Sequence, residues 1–277
     1  MSKLIFLVIL VLMGLQSHAQ ELGFMTYNLR YDNPNDGENR WDLRKEFLRD
    51  QLKFFEPDVM GIQEGLKHQL DYLNIELDAY TYIGVGRDDG KEKGEYTAIF
   101  YKEDELGLIK ESTFWLSENP EEISVGWDAA LERICTYALF EEKASGKKFY
   151  VFNTHFDHRG EKARRKSAQL ILKQIKALNV ENFPVVLMGD LNLTPDTKAI
   201  KSIANKLDDS RHAARIAFGP DATFTGFDFS KAPQRRIDYI FTSPANMEVK
   251  KYAVLTDSRD QKYPSDHFPV YIKVQLK

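Results

Sequence analysis

The chain has 277 residues, 43% hydrophobic and 29% charged, enough for one large core and too few for several ordinary domains. Gly and Pro together stay under a tenth of the residues and aromatic side chains reach 12%, which excludes collagen-like, low-complexity and disordered classes. With 38 basic against 42 acidic residues the formal charge is −4, so there is no global positive field to coat nucleic acid, although a local basic patch is compatible with that balance.

Residues 1–19 form a unit of their own: Lys3 is the positive end, 4–15 an apolar run interrupted by Gly14, and Ser17-His18-Ala19 a small-residue cleavage site. About a dozen apolar residues cannot span a hydrocarbon core of roughly 30 Å, so the segment reads as a secretory signal peptide cut after Ala19, not as an anchor. Residues 20–277 are then expected to be one secreted or periplasmic domain with no membrane span. The sole cysteine, Cys135, allows no internal disulfide, and its place in the β-like run 134–140 predicts a buried, inert thiol.

Along the mature chain, 23–28 predicts a strand, and 41–55 a helix with Trp41, Phe47, Leu48, Leu52 and Phe55 at helical spacing. A strand at 58–63 and a helix at 66–77 follow, then β-rich runs at 80–85, 95–101, 106–116, 134–142 and 148–155. The longest helix is expected over 161–180, with Ala168, Ile171, Leu172, Ile175 and Leu178 on its apolar stripe and Arg164, Arg165, Lys166 and Lys173 exposed. Strands at 185–188, 222–227, 236–242, 249–255 and 268–275 and a helix at 197–207 complete the series. The mixture predicts an α/β fold, a four-layer sandwich of two packed mixed sheets flanked by helices.

Polar residues gather where these strands end: Asn28 in TYNLR, Gln63-Glu64 in VMGIQE, His155 in VFNTHFDH, Asp190 and Asn192 in VVLMGDLN, and Asp266-His267 in SDHFPVYI. Any one of them could be an ordinary turn or cap residue, but five such ends on rigid elements point to a built site. Carboxylate and carboxamide oxygens with few nitrogens suit a hard cation, Mg²⁺ or Mn²⁺, better than zinc, for which His155 and His158 are the one close histidine pair. No glycine-rich phosphate loop or GxSxG elbow is present.

The motifs TYN, IQE, NTH, GDLN, RIDYIF and SDHFP, in that order across nearly the whole mature chain, resemble the endonuclease/exonuclease/phosphatase superfamily. The resemblance implies a two-sheet sandwich and divalent-metal-dependent phosphoester hydrolysis. It implies that Glu64 binds the metal with Asn28 beside it and Asp266 near it, and that Asp190 orients or deprotonates the attacking water. It further implies that Asn192 and His155 contact the phosphate, that His267 is catalytic, and that Asp238 of RIDYIF hydrogen-bonds it. Arg30 stands where apurinic endonucleases of the superfamily carry an acid, which argues against abasic-site specificity.

The expected activity is that of an exported phosphoesterase, with a phosphodiester as the leading substrate and a phosphomonoesterase or sphingomyelinase-like enzyme as the alternative. A duplex nuclease and a non-catalytic module rank below these, the latter because Glu64, Asp190 and His267 are all retained. A monomer acting on a small phosphoester or a phospholipid headgroup is expected, with nucleic acid the competing partner. Arg133 divides between phosphate contact and ion pair, Tyr96 between phosphate contact and core. Trp41, Arg44 and the FWLSENP segment resemble a secreted bacterial branch, and the cluster 159–166 is either an anion-receiving patch or a solvated helix face. Asp157 and His158 are expected at the rim of the site.

Overall fold

The computed structural model describes residues 21–277, so the segment read as a signal peptide lies outside the described residues. The chain runs β1 (Glu21–Asn28), α1 (Trp41–Phe55), β2 (Val59–Gln63), α2 (Lys67–Glu76), β3 (Tyr80–Ile83), β4 (Thr97–Lys102), β5 (Leu106–Trp115), β6 (Ile134–Glu142) and β7 (Lys148–His155). It continues through α3 (Glu161–Leu178), β8 (Val185–Asp190), α4 (Lys198–Ala204), β9 (Asp208–Asp209), α5 (Ser210–Ala213), β10 (Ile216–Phe218), β11 (Asp238–Thr242), β12 (Met247–Val254) and β13 (Val270–Leu276). One sheet has seven strands in the order β10-β12-β13-β1-β2-β4-β3, the other six in the order β5-β6-β7-β8-β11-β9.

Side chains alternate across a strand, so each sheet offers one face to its partner sheet and one to helices. Phe24, Val59, Ile99, Phe140, Phe149, Val186, Ile240 and Ile272 fill the space between the sheets. The outer face of the first sheet buries Met25, Met60 and Phe100 against Leu48 and Leu52 of α1 and Leu70 and Leu73 of α2. On the other side Phe152, Leu187 and Phe241 meet Ala168 and Ile171 of α3 and Ile200 and Ile203 of α4. The four layers are those the alternation of β-rich and amphipathic runs predicts.

Two expectations differ. Residues 222–227 form no strand; Phe224 makes isolated bridges to Arg235 and His267, and Gly226 and Phe227 then turn the chain at φ 61° and 62°. The short β9, α5 and β10 are too brief to carry a readable hydrophobic period. Gln63, grouped with the polar strand ends, serves the fold: its amide donates to Asn153 Oδ1 (2.6 Å) and Thr26 Oγ1 (3.0 Å), tying the sheets together. Gly61 makes room for that tie, since a Cβ there would come within 2.8 Å of the Asn153 carboxamide.

Register places the functional side chains. The parallel pair β1/β2 aligns Asn28 with Gln63, so Glu64 follows beside Asn28; the parallel pair β7/β8 aligns His155 with Asp190. Antiparallel β11 starts with Asp238 directly opposite Asp190. Strand ends from both sheets therefore meet at one end of the sandwich.

Candidate active site

A cavity of about 670 Å³ opens at that end, lined among others by Glu64, His155, Asp190, Asn192, Asp266 and His267. Asn28 is buried behind it, and its carboxamide NH₂ bridges Glu64 Oε1 (3.0 Å) and Asp190 Oδ2 (3.1 Å). The carboxamide oxygen accepts the Arg30 backbone N–H, so Asn28 acts as a strap holding two carboxylates side by side. Glu64 also accepts the Tyr31 N–H at 3.1 Å. Glu64 and Asn192 both adopt left-handed backbone, at φ 62° and 48°, a cost that persists only where surrounding bonds fix it. For Asn192 those bonds are its N–H to Asp190 Oδ1 (2.9 Å) and its amide to the Phe156 carbonyl (3.1 Å). In GDLN the glycine is obligatory: Gly189 has φ 146°, and a Cβ there would fall 1.9 Å from the Thr154 carbonyl oxygen.

His267 Nδ1 lies 2.9 Å from Asp238 Oδ2, and its Nε2 lies 3.8 Å from Asp190 Oδ2. Burial alone would lower this imidazole, but the charge and hydrogen bond of Asp238, with Asp190 and Asp266 beside it, outweigh burial and hold it well above the usual histidine range. Asp190 is pushed up to about 7 by burial and then by the Asp238 carboxylate across the ladder. Burial raises Asp266 as well, with Glu64 adding to the effect.

A second histidine faces the same space under opposite conditions. His155 Nε2 sits 3.4 Å from Asp190 Oδ2 and 3.2 Å from the Asn192 amide nitrogen, while Nδ1 is 3.9 Å from Glu95. Burial, then the charges of Arg133 and Arg87, drive His155 well below the usual range, so its ring is neutral. With the Asn192 NH₂ donating to Nε2, the remaining proton belongs on Nδ1. Glu95 is forked by Arg87 at 2.7 and 2.9 Å, yet burial and the Glu64 charge push it up to about 7.

Sequence reasoning missed Glu95 and Arg87, because Glu95 precedes β4 while the search followed the polar residues that close strands. The available signal was an acid, GEYTAIF, immediately before an apolar run. Arg133 combines both of its expected readings: it lines the cavity, lies 3.5 Å from Asp157 and 3.9 Å from Glu95, and bonds His158 Nδ1 at 3.0 Å. Tyr96 turns away, its hydroxyl donating to the Lys91 carbonyl at 2.8 Å. Trp115 of FWLSENP braces the loop that carries Arg87, donating from Nε1 to the Arg87 carbonyl (2.9 Å). Asp157 accepts the N–H groups of Ala130, Arg159 and Gly160 and shapes the loop. Arg159, Lys162 and Arg165 of the basic cluster are exposed. Arg235 was not anticipated: it lines the cavity over Phe224, 5.8 Å from the ring centroid, and its side chain makes no ion pair with a described residue.

The donor set fits a hard divalent cation. Glu64, Asp190 and Asp266 all present carboxylate oxygens to the cavity, Asn28 holding the first two side by side, and burial with neighbouring carboxylates adding to it raises the carboxyls of Asp190 and Asp266. Among the described residues, Asp190, Asp238 and His267 are the group whose ligand atoms all lie within 4.8 Å of one another. That compactness belongs to the imidazole–carboxylate pair, since Asp238 already occupies His267 Nδ1.

A model of the Endonuclease/Exonuclease/phosphatase family matches residues 25–267. The chain belongs to this family. Its members are phosphoester hydrolases, generally dependent on a divalent metal, and the fold and buried acid–histidine group described above are in keeping with that. The chain is similar to an endonuclease/exonuclease/phosphatase from Bacteroides vulgatus, with 40% identity and a TM-score of 0.88, covering 93% of this chain and 100% of that one. It is similar also to a mannosyl-6-phosphatase from Bacteroides thetaiotaomicron, with 39% identity and a TM-score of 0.88, covering 92% and 100%. A curated relative, the CCR4-Not complex 3'-5'-exoribonuclease subunit Ccr4 of Mycosarcoma maydis, is 26% identical over 209 residues, 60% of this chain and 31% of that protein. The chain spans between 31% and 64% of the length of the curated relatives it matches.

Proposed function

We propose that this member of the endonuclease/exonuclease/phosphatase family is an exported, divalent-metal-dependent phosphatase that removes phosphate from a small phosphorylated molecule, with sugar phosphates as the first class to test. The observation that carries the reading is the pairing of two chemistries in one cavity. The oxygen donors Glu64, Asp190 and Asp266, the last two buried, share it with Arg133, His158 and Arg235. A monoester brings a dianionic phosphate and a compact organic group, and a cavity of this size with the guanidinium groups of Arg133 and Arg235 suits both, while burial and Arg133 hold His158 below the usual histidine range. The mannosyl-6-phosphatase, similar over nearly the full length of both chains, supports a sugar phosphate ahead of the phosphodiester that the sequence motifs suggest. Export rests on residues 1–19; among the described residues no helix is long and apolar enough to cross a membrane.

In this reading Glu64, with Asp266, would hold Mg²⁺ or Mn²⁺, and the bound ion supplies neutralisation of charge on the phosphate oxygens. Asp190, raised to about 7 and set between His155 and His267, positions the attacking water and takes its proton. The protonated His267, held by Asp238, donates to a phosphate oxygen as negative charge accumulates in the in-line transition state. Neutral His155 keeps the Asn192 amide oriented. Arg133 and His158 face the substrate from one wall and Arg235 from the other.

The test is a panel of hexose 6-phosphates, sugar 1-phosphates, an aryl phosphodiester, a choline phospholipid and plasmid DNA, each assayed with Mg²⁺, Mn²⁺ and excess chelator. The reading expects a sugar phosphate to give the highest kcat/KM and chelator to abolish turnover. A phosphodiester or plasmid DNA exceeding every monoester would overturn the substrate class, and full activity in chelator would overturn the metal dependence.

A further inference from the structure

The Trp41–Arg44 segment takes no part in the chemistry above, yet Arg44 is 4% exposed and has no carboxylate partner among the described residues. All of its hydrogen bonds go to main-chain carbonyls. Nε donates to Asn39 (2.9 Å), Nη1 to Leu29 (2.5 Å) and Pro264 (3.0 Å), and Nη2 to Arg30 (2.6 Å). The guanidinium lies between two rings, 5.2 Å from the centroid of Trp41 and 5.7 Å from that of Phe227. Taking a charge out of water without an ion-pair partner is costly, so these carbonyls must be held in place firmly enough to offset it.

Three of the four bonded carbonyls, those of Leu29, Arg30 and Pro264, belong to the two segments that carry metal-side groups. Leu29 and Arg30 follow Asn28, and in the same stretch Tyr31 donates to Glu64; Arg30 is in left-handed backbone at φ 58°. Pro264 stands two residues before Asp266, and Ser265 Oγ reaches across to the Asn28 carbonyl at 2.6 Å. β1 and the 264–266 segment come from opposite ends of the chain, and Arg44 Nη1 bonds to both.

We propose that Arg44 is a positioning residue for the metal end of the cavity, a clasp whose planar fork fixes the segments bearing Asn28 and Asp266 against Glu64. The proposal rests on the metal-dependent reading of the site. A lysine cannot reproduce it, because one ammonium at the end of a flexible stem does not span four carbonyls lying in different directions.

The experiment measures Mn²⁺ binding to the metal-freed protein by electron paramagnetic resonance, without substrate, beside thermal melting and the Mn²⁺ dependence of activity. Three variants are compared. Arg44→Lys removes the fork, Ser265→Ala removes the second link between the same segments, and Phe227→Ala removes a stacking ring but no clasp bond. Arg44→Lys should weaken Mn²⁺ binding about tenfold or more, the scale of losing a group that orients metal ligands, while still melting cooperatively. Its half-saturating Mn²⁺ for activity should move by the same factor, and KM for substrate at saturating metal should not. Ser265→Ala should weaken binding about threefold, and it carries the test by itself if Arg44→Lys does not fold. Phe227→Ala should lower Tm and leave Mn²⁺ affinity within about twofold. Wild-type affinity in a folded Arg44→Lys, or in Ser265→Ala where that variant carries the test, overturns the clasp alone. So does an equal loss in Phe227→Ala, which would reduce Arg44 to general packing. Wild-type protein that binds no Mn²⁺ would overturn the metal reading, and the clasp with it.

Discussion

Two histidines look into one cavity, each with a carboxylate at hand, and they are held in opposite protonation states. His267 has Asp238 at 2.9 Å, with Asp190 and Asp266 beside it and no arginine among its main influences, and it keeps its proton. His155 has Glu95 at 3.9 Å, but burial and then the charges of Arg133 and Arg87, the latter forking Glu95, outweigh it, so His155 stays neutral. A buried imidazole keeps its proton when a carboxylate bonded to it outweighs the cost of burial, and loses it when neighbouring guanidinium charges add to that cost. The result is one donor and one neutral ring on either side of Asp190, a division of labour made by surroundings and not by residue type.

The largest test of that division is removal of the charged side. Asp190→Asn and His267→Ala should each lower kcat by about two to three orders of magnitude on the preferred substrate, the scale of removing a positioned base or transition-state donor. Near-wild-type turnover of either purified variant would break the comparison. On the other side, Arg133→Ala should act on recognition, raising KM about tenfold or more with kcat changed only a few-fold, as expected for a group whose loss weakens ground and transition states alike. A fall in kcat at unchanged KM would move Arg133 into the chemical step.

Asp238→Asn tests the pair itself. In metal-freed protein the His267 ring should titrate at a lower pH than in wild type, read from its imidazole NMR signals, while the His155 signals stay put. The stability effect has a fixed sign. Because folding raises the His267 value above the unfolded 6.5, its contribution is complete below that pH and is lost as pH rises through the raised folded value. The gap in urea midpoint between wild type and Asp238→Asn should therefore narrow as pH increases through that window, and a gap that widens would refute the pairing.

The smallest expected effect is a control on all of these. Cys135 is fully buried on β6, paired with Thr154 beside His155, and burial holds its thiol far above the ordinary cysteine range. It should resist alkylation at pH 8 in the wild type and in every variant that keeps the fold, and react once denaturant opens the domain. Rapid native labelling of a variant by mass spectrometry would mark its kinetic defect as structural.

Much of the fold could be read along the chain because the strands and long helices carry their own periods. The helix expected over 41–55 runs from Trp41 to Phe55, and β6 and β7 begin and end where their apolar runs do. Glu64, Asp190, Asn192 and His267 could be placed near one another in advance because motifs mark the ends of rigid strands, and the family resemblance added Asp238 beside His267. Within α1 the sequence misled: Arg44 and Gln51 are buried where a stripe of apolar residues was expected to suffice. Arg44 reaches the Pro264 carbonyl and Gln51 the Asp257 carboxylate, each more than two hundred residues away, and no local period reports such a contact.

What the sequence by itself determined is thus the set of elements, their alternation, and the kinds of side chain delivered to the site, since these follow from hydrophobic period and from strand-end chemistry. What only the tertiary structure decided is which carboxylate is free and which is claimed. Asp238 lies across a ladder from Asp190 and bonds His267, while Glu95 comes from a loop and meets Arg87, and burial with the charges of Arg133 and Arg87 leaves His155 uncharged. Charge states depend on distance and burial among groups brought together from remote parts of the chain, and those are properties of the folded molecule alone.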